Sequence, residues 1–120
     1  MNDTSQFVID VVDYMPAESE WMIQAPGEEF LDAIREIPHL IDKVYIRLTL
    51  KEKYRKNFAA LSAGDIYEFI QHARVIFGGR LIFEAYDSFN TGIVSKNFDI
   101  TETPLIGHVG QDILMVSSEW

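Results

Sequence analysis

The chain contains no cysteine, which removes disulfide crosslinks, thiolate metal ligands and cysteine nucleophiles at once. Proline and glycine are sparse, four and seven in 120 residues, so no stretch has the composition of a linker or a low-complexity segment. No apolar run approaches the roughly 20 residues that cross a bilayer. The opening residues, Met1 to Gln6, lack the basic start of a secretory signal, so a cytoplasmic protein without a membrane partner is expected. Positive charge is scarce too: ten Lys and Arg stand against nineteen Asp and Glu, a net charge of −9. A polyanion draws its affinity from lysine and arginine neutralising phosphates. Nucleic acid is therefore not the expected partner, and a basic protein is.

Apolar residues are plentiful. At 48% of the chain, with 12% aromatic, they suffice to bury a core, and the length suits one domain over residues 1–120. Charge is unevenly placed along that domain. Nine acids in residues 1–36 (Asp3, Asp10, Asp13, Glu18, Glu20, Glu28, Glu29, Asp32 and Glu36) face a single base, Arg35. Residues 37–60 reverse the sign, with Lys43, Arg47, Lys51, Lys53, Arg55 and Lys56 against Asp42 and Glu52. Such asymmetry bears on solubility and association rather than on fold.

The β-branched run Phe7–Val12 predicts a strand. Residues 16–24 allow either a helix opened by Pro16 or a loop into a short strand over Trp21–Gln24. Phe30, Leu31, Ile34 and Ile37 recur at helical spacing and predict an amphipathic helix that ends before Pro38. Alternation from Lys43 to Leu50 predicts a strand with one buried face. Lys51 to Asn57 reads as a basic connector or short helical turn, with Tyr54 and Phe58 reaching back to the core. Ser62 and Asp65 resemble a capping pair ahead of Ile66, Phe69, Ile70, Ala73 and Phe77, which predicts a helix of about four turns stopped by Gly78-Gly79. Residues 80–87 and 92–98 read as strands of a hairpin turning at Ser88–Thr91. Residues 103–110 read as an irregular loop, and Asp112–Ser118 as a last strand. The expected fold is α+β: a mixed or mainly antiparallel sheet of about five strands, with two or three helices packed mainly on one face.

Familiar catalytic patterns are missing. There is no nucleophile elbow and no Walker sequence, and Gly78-Gly79-Arg80 follows the predicted helix, the reverse of a phosphate loop. His39, His72 and His108 have no spacing that suggests a metal pair. No cofactor, no metal and no enzymatic activity are expected. The basic cluster at Lys51–Lys56, interleaved with Tyr54, suits a solvated connector better than an RNA contact in so acidic a chain.

Carboxylates gathered near aromatic side chains are the most suggestive feature. Tyr14, Glu18, Glu20, Trp21, Glu28, Glu29 and Asp32 form the candidate partner-binding set, in which charge accelerates encounter and an aromatic anchors the contact. Trp21 has two readings, core residue or exposed anchor. On the second, the chain is a small acidic binding module, an immunity- or antitoxin-type inhibitor that neutralises a basic protein such as a nuclease toxin. The alternative is a small enzyme or ligand-binding domain with a site near His108, Tyr86 and Asp87, His108 being oriented by Asp87 or Asp112. A third possibility is a homodimer closed through Phe89 or Trp120.

Overall fold

The computed structural model describes residues 3–25, 27–58 and 63–120. It shows an α+β fold built on one mixed, mostly antiparallel sheet of seven strands in the order β2-β3-β1-β4-β5-β6-β7. The strands are β1 (Ser19–Gln24), β2 (His39–Asp42), β3 (Tyr45–Leu50), β4 (His72–Phe77), β5 (Arg80–Tyr86), β6 (Thr91–Val94) and β7 (Leu114–Val116). Every pairing is antiparallel except the last, where β7 lies parallel to β6. The helices are α1 (Asp3–Tyr14), α2 (Glu28–Ala33), α3 (Arg55–Phe58) and α4 (Leu105–Val109), with 3-10 turns at Glu52–Tyr54 and Ala63–Phe69.

Register assigns the two faces of the sheet. Trp21 stands opposite Leu48 and Val75, and Val75 opposite Phe83, so these four side chains share one face. Phe58 of α3 packs on Trp21 with ring centroids 5.0 Å apart, and Phe7 of α1 meets Phe83 edge-on at 6.0 Å. His108 of α4 lies 5.1 Å from Phe7. Helices α1, α3 and α4 therefore cover this face, and the buried aromatic core sits between them and the strands. Alternate residues of the same strands, Met22, Arg47, Arg74 and Glu84 among them, point the other way.

The expected strand at Phe7–Val12 is instead the middle of α1. Its buried residues Phe7, Val8, Val11, Val12 and Met15 fall at i, i+1, i+4, i+5 and i+8, the stripe of a helix, and packing on Phe83 and Phe89 overrides the β-preference of valine. Pro16 bars continuation of α1. Its last carbonyls are gathered by Arg55, whose Nη1 donates to the oxygens of Val12 (2.7 Å), Met15 (2.9 Å) and Asp13 (3.2 Å). A cation at a helix C-terminus satisfies both orphan acceptors and the dipole, so the basic segment has one structural member, which also pairs with Glu52.

The four-turn helix predicted after Ser62 is also corrected; Ser62 itself lies outside the described residues. A 3-10 turn ends at Phe69, and β4 follows, burying Ala73 and Val75 on the helix-covered face. Phe69 and Phe77, counted as core at helical spacing, are exposed. Gly78 and Gly79 form the two-residue turn of the β4–β5 hairpin, with φ of 60° and 77°, the double left-handed geometry glycine adopts without strain. The one hairpin expected from the sequence, between residues 80–87 and 92–98, is present as β5–β6, turning through Asp87, Ser88 and Phe89, all at positive φ. Three non-glycine residues in that region are costly; burial of Phe89 against Phe7 and Phe83 offsets the strain. Phe89 is therefore core and is not available for a dimer contact. The predicted loop at 103–110 contains α4, and β2, absent from the sequence reading, forms an edge strand beside β3.

Candidate functional site

Among the described residues no helix covers the second face of the sheet, and its centre carries a connected group of polar side chains from β3, β4 and β5, with β1 running between β3 and β4. Glu84 of β5 faces Arg74 of β4, and His72 faces Tyr86. Alternation places Glu84 and Tyr86 on the same side. The Glu84 side chain, only 9% exposed, accepts at Oε2 from the Tyr86 hydroxyl at 2.6 Å and from His72 Nε2 at 2.8 Å, with Arg74 Nε at 3.6 Å. Tyr45 of β3 closes the chain, its hydroxyl 3.2 Å from His72 Nδ1.

A carboxylate only accepts, so His72 donates from Nε2 and accepts the hydrogen bond of the Tyr45 hydroxyl at Nδ1. Burial alone would raise the Glu84 carboxyl. The hydrogen bonds from Tyr86 and His72 and the charge of Arg74 outweigh it and hold the group below the usual carboxylate range. The same bond, with burial and the charge of Glu84, raises the Tyr86 hydroxyl above its ordinary value. Both ring nitrogens of His72 are engaged. The group therefore holds its side chains in fixed positions. Alongside it, Arg47 donates to Glu20 and lies 3.8 Å from Asp42, which raises the Arg47 guanidinium further, chiefly through the hydrogen bond to Glu20.

Comparison of the chain with family models, curated proteins and solved structures finds no match in any of the three.

The predicted partner-binding residues divide among four places. Trp21 is wholly buried, its indole N–H donating to Ser19 Oγ at 3.1 Å, so it is a core residue and the exposed-anchor reading is corrected. Glu20 lies on the bare sheet face, tied to Arg47. Glu28, Glu29 and Asp32 do come together on α2, around a shallow hollow shared with Arg35, which approaches Asp32 to 3.6 Å. Tyr14, 44% exposed, ends α1, and Glu18 sits on the connection between α1 and β1. The length of β1 separates them from α2, six residues or about 20 Å at 3.3 Å per residue, so the acids do not make one continuous surface.

The alternative site is not assembled. His108 is buried between α4 and α1, its Nε2 2.7 Å from Asp10 Oδ2, so Asp10 orients it rather than Asp87 or Asp112. Tyr86 stands on the opposite face of the sheet, and Asp87 caps the β5–β6 turn through its carbonyl. Tyr45, His72, Arg74 and Glu84 had gone unrecognised. The helical spacing read through residues 66–77 hid the period-2 alternation of His72, Arg74 and Ile76 against Ala73 and Val75. A second signal was Glu84 itself, an acid set inside the apolar run from Leu81 to Ala85. Among the described residues no three His, Asp or Glu side chains converge in a way that could hold a metal ion, and no helix is long and apolar enough to cross a membrane.

Proposed function

We propose that this domain is a protein-binding module that sets the bare face of its sheet against a basic protein, as an immunity- or antitoxin-type inhibitor covers the active site of a toxin such as a nuclease. The observation that carries this reading is the chain of hydrogen bonds from Tyr45 through His72 and Glu84 to Tyr86. Side chains already held in one arrangement lose little entropy on docking. Tyrosine, methionine and arginine, which this face presents as Tyr45, Tyr86, Met22 and Arg74, are the types enriched in interface cores. A net charge of −9 favours encounter with a cationic surface. Full engagement of His72 supports binding over proton transfer.

The test is capture of proteins from the source cells by the tagged chain, with R74E and Y86A compared against an E28Q/E29Q control on α2. The captured protein is then assayed for enzymatic activity with and without the chain. A basic protein that is inhibited by the wild type, retained by the α2 variant and lost by the sheet variants is expected. Equal capture by R74E, Y86A and wild type would remove the sheet face from the reading.

A second copy of the chain is supported by one specific feature. The edge strand β2 exposes Leu40 and Ile41 by 73% and 65%, on alternate faces, and an unprotected apolar edge invites strand pairing. Sedimentation velocity decides this, since a monomer at about 100 μM would exclude a functional dimer through β2.

A further inference from the structure

A cleft of about 560 Å³ opens where the β4–β5 turn meets the carboxyl-terminal residues. That is within the range of small-molecule sites. Its walls are the rings of Phe77, Phe98 and Trp120, and Leu81 and Ile82 add aliphatic surface. Trp120 is held by its backbone: its N–H donates to Ser117 Oγ at 3.0 Å, and its carbonyl accepts from the Lys96 N–H at 2.8 Å.

Among the described residues Arg80 has the only charged side chain lining this space; the other polar side chains, Ser95 and Asn97, are neutral. Arg80 is exposed, and among the described residues no carboxylate lies within ion-pair distance of it, whereas Arg35, Arg47, Arg55 and Arg74 are all paired. An unpaired guanidinium beside three aromatic rings selects for a molecule with a flat apolar body and one anionic group. The adjoining glycines leave the approach open, because a Cβ at Gly78 or Gly79 would meet nothing within 4 Å.

We propose that this cleft is a binding site for an amphipathic organic anion, an aromatic or branched aliphatic acid whose body lies between Phe77, Phe98 and Trp120 and whose acid group pairs with Arg80. The proposal is independent of the protein-binding reading, since it uses neither Glu84 nor its partners.

The experiment uses 8-anilinonaphthalene-1-sulfonate as the anionic probe and N-phenyl-1-naphthylamine as its uncharged counterpart. Binding to the folded chain is followed by calorimetry and by energy transfer from tryptophan. Trp21 is enclosed in the core, so W120L removes the donor at the cleft while leaving one tryptophan as a fold reporter. The wild type should bind the sulfonate saturably at one site. R80Q, a change at an exposed position, should weaken the sulfonate about tenfold and leave the neutral probe unchanged. W120L should weaken both. Absence of saturable binding to the wild type overturns the proposal, as does an R80Q effect equal for the two probes or indifference of both to W120L.

Discussion

Replacing Asp10 with alanine should destabilise the protein by about 3 kcal/mol, because it strands a buried histidine on the far side of the core. Asp10 on α1 and His108 on α4 are both buried. Asp10 Oδ2 accepts from His108 Nε2 at 2.7 Å, and its Oδ1 accepts from Gln6 Nε2 at 2.9 Å. His108 Nδ1 is buried with no partner among the described residues, so the tautomer with its proton on Nε2 avoids placing an unpaired donor there. Losing Asp10 leaves that Nε2–H unsatisfied as well, at about 1–3 kcal/mol, and adds the space left by the carboxylate. H108L should cost about 3 kcal/mol by leaving the carboxylate with Gln6 alone. The double variant D10A/H108L removes both polar groups together, so it should cost only about 3 kcal/mol, roughly half the sum of the two single effects. Urea denaturation followed by circular dichroism measures all three. A coupling of at least about 2 kcal/mol is expected. Single and double effects that simply add, to within about 0.5 kcal/mol, would refute the claim that the two side chains depend on each other.

Three further perturbations follow from named contacts. R55A should cost about 2 kcal/mol, since it releases three carbonyls at the end of α1, and R55K should recover only part of it because one ammonium cannot span them; thermal melts measure both. G92A should cost about 2 kcal/mol, a Cβ there lying 2.9 Å from the Phe7 ring and 3.2 Å from the Glu84 carbonyl. The third is a pH effect. Glu84 is lowered on folding from 4.5, so its contribution is present above that value and is lost as pH falls through the lower folded value. Tyr86 is raised from 10.0, so its contribution holds below 10 and is lost as pH rises through the higher folded value. E84Q should flatten the acid limb of a stability-pH curve and Y86F the alkaline limb; limbs identical to wild type would contradict the assignment.

What was legible in the sequence follows from which signals have a single physical source. Lys43–Leu50 reads as a strand because only one face of it is buried; the strand observed is Tyr45–Leu50, in which Ile46, Leu48 and Leu50 alternate accordingly. The fold class and one-sided helix packing followed from such elements. Phe7–Val12 misled because side-chain branching and burial pointed to different structures, and burial on the aromatic core decided. Residues 66–77 misled because a 3-10 turn and a strand in succession happen to place apolar residues near helical spacing. The candidate site was obscured for a different reason. Glu84 and His72 come from the two arms of one hairpin, but Tyr45 comes from β3, and no local pattern records that β1 inserts between β3 and β4 and brings Tyr45 to His72.

In the proposed role, the separation of the acidic groups from the sheet face assigns two tasks to two places. Glu28, Glu29 and Asp32 are exposed on a short helix; charges so placed act over about a Debye length and fade with salt. The sheet face is nearly charge-balanced, Glu84 lying against Arg74 and Glu20 against Arg47, so it contributes little to long-range attraction. Its buried carboxylate instead fixes Tyr86 and His72 in place, which affects how long a partner stays. Changes on α2 should therefore alter the association rate and its salt dependence, and changes around Glu84 the dissociation rate. A surface that both attracts and holds would need its charges exposed for the first task and desolvated for the second, and this fold meets the conflict by dividing them between α2 and the bare face of the sheet.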